Sequence, residues 1–330
     1  MIPEVGTLVL TRRNIAGLMG PDDWLAAVET GFRASAEGRA QAPPPMHIGG
    51  LGGAFHAKGA SLLRDRLHVA LKLNSNFPAN PDRNGLPTIQ GAILLCDGET
   101  GRLVAILDSI EVTLRRTAAA TALAARFLAR PDCATILVCG CGEQGAAQLA
   151  ALRRILPLRH ARFWDRDHDR AAALAGSVEG LEAEAVDDLA GAARQSDVIV
   201  TCTTARTPFL GPEMVRPGTF VAAVGADSPD KSEIRPELMA RARIVADVVD
   251  QCARMGDLHH ALAAGAMRLG DVHAGLAELV AGTRPGRTDD SEVFLFDSTG
   301  TALQDVAAAA IVLERARGRT GLLSVALGAL

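Results

Sequence analysis

Glycines at 140, 142 and 145 stand in G-x-G-x-x-G spacing after a short apolar run, Ala134-Thr135-Ile136-Leu137-Val138, and ahead of an Ala/Leu/Arg segment of helical character. The chemistry this spacing suits is the cradling of a pyrophosphate. Gly140 permits a tight turn, Gly142 leaves room for phosphates to approach the backbone, and Gly145 lets helix and strand pack closely. The first helical turn, with Glu143 and Gln144, turns free N–H groups and the positive end of its dipole toward the anion. A second strand, predicted over 161–164, ends on Asp165. An acid about 20 residues beyond such glycines accepts hydrogen bonds from the hydroxyls of an adenosine ribose. The pattern reads as a dinucleotide site with NAD preferred. Arg166 follows directly and suits a 2′-phosphate, so NADP is admitted as well.

Three further polar clusters follow apolar runs that read as parallel strands, whose carboxyl ends are where open sheets bind ligands. They are Thr203 after 196–201, Asp227 with Lys231 after 220–224, and Ser298-Thr299 after 293–296. A carboxylate at Asp227 could exchange a proton with a substrate amine, or activate water, as hydride moves at a nicotinamide. Its neighbours Ser228 and Pro229 equally suit an Asx-turn or a helix cap. Lys72 lies inside the apolar run 68–74, with Val69, Leu71 and Leu73 on one face and Ala70 and Lys72 on the other. Either it is an edge lysine in solvent, or a cation on an inner face that needs a partner, and a substrate carboxylate would serve. Arg115, Arg116 and Thr117 lie near the start of a helix predicted over 112–129. Neighbouring arginines cannot face one way on a helix. That leaves one as a surface charge and the other within reach of an anionic ligand.

Two kinds of architecture are needed to position these residues. Before the glycines come a strand over 8–10, Thr11 as a helix cap, and a helix opened by Gly20-Pro21-Asp22 with a stripe of Trp24, Leu25, Val28, Phe32 and Ala36. Pro43-Pro44-Pro45 is extended, Gly49–Gly53 reads as a hairpin turn, and strands follow over 55–58, 68–74, 89–96 and 103–107. This antiparallel-looking run marks an α+β domain. From 134 onward strands and helices alternate, as in a parallel sheet. An Ala-rich helix over 302–317 returns to the first domain or sits at an oligomer seam. The fold class is α/β, with a dinucleotide-binding domain over 116–301. A substrate-binding and dimerisation domain of α+β type takes 1–115 with 302–330.

The 330 residues, 48% apolar and 22% charged, suit two globular domains. A net charge of −4 argues against nucleic acid or an anionic membrane as partner. No apolar run reaches a membrane span and no basic-then-apolar leader opens the sequence, so a cytoplasmic location is expected. The six cysteines form no C-x-x-C; Cys139 and Cys141 read as small buried residues, and no metal is expected. Tyrosine is absent, which excludes a Tyr–Lys proton relay.

LPTIQG, LRRTAAATALAARFLARP, VCGCGEQG, VGADSPDKSEI and FDSTGTALQDVA occur in this order, and over nearly its whole length the chain resembles the ornithine cyclodeaminase/mu-crystallin family. The resemblance implies a Rossmann domain joined to a dimerising α/β domain, a homodimer, NAD(H) or NADP(H), and chemistry through imines. It implies a catalytic Asp227 in VGADSPDK, a catalytic and substrate-contacting Lys72 in ALKLN, and Arg116 in LRRT near substrate and cofactor phosphate. Thr88, Thr203, Val224, Lys231 and Ser298 match positions along the nicotinamide, with Thr117 beside Arg116 on the cofactor and Thr299 beside Ser298 on the substrate. The chain departs from the family pattern at Pro45-Met46-His47, where relatives carry a basic residue, and at His56, where some dehydrogenases carry arginine. Lys58 is the candidate replacement, which puts His56 and Lys58 at the substrate.

The leading reading is an amino acid dehydrogenase or imine (ketimine) reductase acting on a small amino acid or cyclic imino acid. An ornithine cyclodeaminase, a lyase releasing proline and ammonia, shares the first step; the departures in the side-chain pocket favour the reductase. A dinucleotide binder without turnover, in a crystallin or hormone-binding role, would have no use for a base at Asp227.

Overall fold

The computed structural model describes residues 6–327. They form two compact units, one drawn from Met1–Arg116 and Thr301–Leu330, the other from Thr117–Gly300.

In the unit drawn from Thr117–Gly300, eight parallel strands run in the order Glu182–Ala185, His160–Trp164, Thr135–Cys139, Val198–Thr201, Phe220–Ala223, Phe294–Asp297, Arg243–Ala246 and Ala274–Gly275. The central strands are fully buried runs of Val, Ile, Leu, Phe and Ala, as a sheet covered on both faces requires. The strand order reverses between Thr135–Cys139 and Val198–Thr201, and there the carboxyl ends open a crevice for a ligand. The short edge strand Ala274–Gly275 has no counterpart in the sequence reading, because two residues carry no period.

The other unit has a mixed sheet. Its strands run Leu323–Val325, Thr7–Leu10, Leu103–Asp108, Ile89–Asp97, Leu67–Asn76, Gly53–Leu63 and Ala40–Gln41, with Met46–Gly50 also paired on Gly53–Leu63. Several features differ from the sequence expectation. Thr7–Leu10 runs parallel to Leu103–Asp108. Leu323–Val325 adds an antiparallel edge strand beyond the last helix. The strands expected over 55–58 and 68–74 are longer, Gly53–Leu63 and Leu67–Asn76, and pair along their whole length as one hairpin. Glycine and serine within them weaken the period that marks a strand in the sequence.

The Ala-rich helix Ala302–Ala316 covers one face of this sheet and also packs on helix Pro21–Ala36. The helices approach closely: a side chain at Gly31 would meet the Leu303 carbonyl at 2.9 Å and Ala307 at 3.3 Å. The covered face carries Ala60, Leu62, Ala70, Ile93 and Leu95, all buried. The opposite face exposes Met46, Ile48, Val69, Leu71, Leu73 and Leu94, and Leu71 is 46% accessible. Lys72 therefore lies on the covered face, on a strand paired on both sides, and the solvent-edge alternative is excluded.

Candidate functional site

The glycine-rich turn joins strand Thr135–Cys139 to helix Glu143–Leu152. Gly140 has φ +101°, a conformation that favours glycine. A Cβ at Gly145 would lie 2.2 Å from the Gly140 carbonyl, so the helix could not approach the turn with any larger residue there. A Cβ at Gly142 would meet nothing within 4 Å, which leaves open space at the helix N-terminus. A cavity of about 590 Å³ extends from this turn, lined by Gly140, Gly142, Asp165, Arg166, Thr203 and Phe209 among others. These features fit a dinucleotide: anion room at Gly142, a carboxylate at the ribose position, and Trp164 and Phe209, 5.4 Å apart, in the cavity wall. Asp165 also holds the loop itself. Its Oδ2 accepts from the Cys141 N–H at 2.8 Å and its Oδ1 from the Asp167 N–H at 3.0 Å. Burial pushes the Cys141 thiol up to about 12 and those of Cys139 and Cys202 well above their ordinary value, which makes inert packing groups of all three.

At the neighbouring strand ends, Lys231 donates to Asp227 Oδ1 at 2.6 Å within a single turn. The Asp227 side chain is 55% exposed and that of Lys231 19%. Thr203 has its backbone N–H and its hydroxyl both committed to Glu233 Oε1, at 2.6 and 2.7 Å, so it offers a ligand no hydroxyl proton. Ser298 and Thr299 are buried, and both hydroxyls donate to Asp247, at 3.3 and 3.2 Å. Gln251 donates to the Thr299 hydroxyl and the Gly300 carbonyl, at 2.7 and 2.9 Å, closing that loop. Thr299, expected at the substrate, thus has its hydroxyl engaged by Asp247 and Gln251. Val224 is buried at the end of its strand, Thr117 is buried, and Glu143 and Gln144 open the helix after Gly142.

Thr88 belongs to the other unit, where its carbonyl accepts from the Phe77 N–H. That unit also holds the cations. Lys72 Nζ lies 2.6 Å from Asp305 Oδ2, and Arg116 Nε donates to Asp305 Oδ1 at 3.0 Å and Nη1 to Gln304 Oε1 at 2.6 Å. Lys72 and Arg116 are 3% and 4% accessible. Two cations thus share one buried carboxylate, an excess of positive charge that an anionic ligand would neutralise. Burial pushes Lys72 from 10.5 down to about 7; Asp305 pulls it up, and Arg116 and Lys58 push it further down. Asp305 would be raised by its own burial, but Lys72 and Arg116 outweigh that and hold it below 3.8. Arg115 instead is exposed and pairs with the buried Glu111, so the two neighbouring arginines divide as their spacing requires. Lys58 stands directly across from Lys72, and His56 across from Asn74, and residues so paired project to the same face. His47 packs edge-on against His56 at 4.7 Å, and His56 lies two positions along its strand from Lys58, on the same face.

A model of the ornithine cyclodeaminase/mu-crystallin family matches residues 5–320. The chain belongs to this family. Alanine dehydrogenase of Archaeoglobus fulgidus is 37% identical, over 94% of this chain and 95% of that one. Among solved structures, an archaeal alanine dehydrogenase dimer with bound NAD superposes with a TM-score of 0.93 at 36% identity, over 97% of this chain and 99% of that one. The iminosuccinate reductase of Paracoccus denitrificans in complex with NAD⁺ gives 0.89 at 34% identity, over 98% and 100%. Membership in the ornithine cyclodeaminase/mu-crystallin family accounts for the mixed α/β architecture. Spacing did not reveal Glu233, Asp247, Gln251, Gln304 or Asp305; each is a polar residue whose partners converge only in the fold. The sole hint in the sequence is the polar pair Gln304-Asp305 just ahead of the apolar run 306–313 of an Ala-rich helix.

Proposed function

We propose that this chain moves hydride between NAD(H) and the α-carbon of an amino acid by way of its imine, as an amino acid dehydrogenase or imine reductase. The observation that carries the reading is the pair of buried cations, Lys72 and Arg116, sharing a single carboxylate. Bound NADH supplies the hydride from its nicotinamide ring. Lys72 and Arg116 hold the substrate carboxylate and so fix which carbon is presented. Asp227 gives the imine nitrogen its proton during reduction and takes it back from the amine during oxidation. Lys231, on Asp227 Oδ1, orients that carboxyl group. His56 and Lys58, on the face of Lys72, meet the substrate side chain.

The test is turnover. NADH consumption by a 2-imino or cyclic imino acid, and NADH formation from the matching amino acid, is the expected result. Proline and ammonia formed from ornithine with catalytic NAD⁺ and no net NADH would sink the reading in favour of the cyclodeaminase.

Asp165 sets the cofactor preference. Its charge suits a ribose diol and repels a 2′-phosphate, while Arg166, Arg170 and Arg206 line the same cavity. Asp165→Asn is expected to narrow the NADH-over-NADPH preference in kcat/KM by about tenfold or more. An unchanged ratio would remove Asp165 from that role.

The exposed apolar face of the mixed sheet supports a homodimer, since patches of that kind mark protein interfaces. Leu71→Glu combined with Leu94→Glu should leave a monomer in sedimentation equilibrium; a dimer persisting at micromolar concentration would place the interface elsewhere. Among the described residues all six cysteines are free and no helix is long and apolar enough to cross a membrane. Free thiols suit a reducing compartment, the cytoplasm.

A further inference from the structure

We propose that Glu233 is a positioning residue whose buried carboxylate clamps together the two strand-end segments that carry Thr203 and Asp227. Glu233 is 0% accessible. Its Oε1 accepts from the N–H and hydroxyl of Thr203, at 2.6 and 2.7 Å. Its Oε2 accepts from the Thr201 hydroxyl at 2.7 Å and the Gly225 N–H at 2.9 Å. One side chain therefore ties the carboxyl end of Val198–Thr201 to that of Phe220–Ala223.

The bond to Gly225 closes a loop, because Glu233 lies downstream on the same chain and Asp227 and Lys231 lie between the two. The downstream end is pinned separately. Asp257 Oδ1 accepts from the Glu233 and Ile234 N–H groups at 2.8 and 3.0 Å, and from the Ser232 hydroxyl at 3.1 Å. His260 Nε2 meets the Lys231 carbonyl at 2.9 Å. Glycine and glutamate are matched as well: a Cβ at Gly225 would lie 2.6 Å from the Glu233 carboxyl carbon and 2.4 Å from the Thr203 carbonyl.

A network of this kind is a costly way to stabilise a fold. A buried acid with no cation against it among the described residues is held by hydrogen bonds alone, and apolar packing would serve stability as well. Burial, followed by the neighbouring Asp257, pushes Glu233 up to about 7 against the bonds from Thr203 and Thr201. The other titratable groups facing it are the thiols of Cys139 and Cys202, both neutral. What the network gains is a fixed geometry for the turn bearing Asp227.

The inference rests on Asp227 exchanging the proton, and a double-mutant cycle separates the two ideas. Glu233→Gln, Asp227→Asn and the double variant are assayed for imine reduction with NADH, and NADH affinity is followed by fluorescence quenching. Glutamine keeps the shape but turns an NH₂ group against N–H or O–H donors. Glu233→Gln is expected to lower kcat about 30-fold with NADH affinity changed less than about threefold. In the Asp227→Asn background the same substitution should cost less than about threefold. A full 30-fold loss in that background, or no loss in the parent, overturns the positioning role while leaving Asp227 standing. Full activity in Asp227→Asn overturns both. Thr201→Val, which removes one donor and keeps the charge, runs the same cycle with an expected loss of about fivefold if Glu233→Gln does not fold.

Discussion

Asp227→Asn is expected to lower kcat for imine reduction about a thousandfold while NADH affinity stays within about threefold of the parent. Asparagine keeps the size of the side chain and a contact to Lys231, but has no proton to exchange with nitrogen. The residues proposed to hold the nucleotide, among them Gly140, Gly142 and Asp165 of the cavity wall, are untouched. The Asp227–Lys231 pair is half exposed on the carboxylate side, so its loss costs at most about 1 kcal/mol of stability. Stopped-flow measurement of NADH oxidation with titration of NADH fluorescence separates the two effects. A kcat loss under tenfold would remove Asp227 as the proton-exchanging group.

Asp305→Asn has the largest expected effect on stability, about 3 kcal/mol near pH 6, or roughly 5–10 °C in thermal midpoint. It leaves Arg116 and Lys72 buried without their shared carboxylate. The pH dependence follows from both partners. Asp305 has a folded value below its ordinary 3.8, so its contribution is present above that pH and is lost as pH falls through the folded value. Lys72 has a folded value of about 7, below its ordinary 10.5. Between those two values the unfolded chain binds the proton and the folded one does not, so the stability contributed by this group rises with pH across that window. Below about 7 Lys72 is charged and needs Asp305 most. The gap between parent and variant should therefore be widest between about pH 4 and 7 and narrow above it, leaving the Arg116 share. Denaturant titrations at pH 5.5 and 9 check this; a gap that widens at pH 9 would contradict the ion-pair account. The same titration predicts that substrate KM in the parent rises above about pH 7, as Lys72 loses the charge that holds a carboxylate.

The glycine turn and its acid were legible because their chemistry is local. A tight turn, open space at a helix N-terminus and an acid closing the next strand are short-range demands, and the spacing of Gly140, Gly142, Gly145 and Asp165 states them directly. The division of Arg115 from Arg116 was legible for the same reason, since helical geometry sends neighbours different ways. Lys72 shows the limit. Alternation separates Lys72 from Val69, Leu71 and Leu73 but cannot say which face is covered. The face of Val69, Leu71 and Leu73 is the exposed one, because helix Ala302–Ala316, from the far end of the chain, lies over the lysine. That helix brings Asp305 and Gln304 in its first turn, so the partner of Lys72 exists only once the unit is assembled.

The sequence by itself determined the strand–turn–helix built on Gly140, Gly142 and Gly145, the strand-end places of Thr203, Asp227 and Ser298, and, through its motifs, the family. Tertiary structure alone decided which cations are buried together, which carboxylates hold the strand ends in place, and which sheet face is left apolar in solvent. The physical reason is range. A backbone turn answers to residues a few positions apart, whereas a buried charge answers to whatever the fold brings within hydrogen-bond distance.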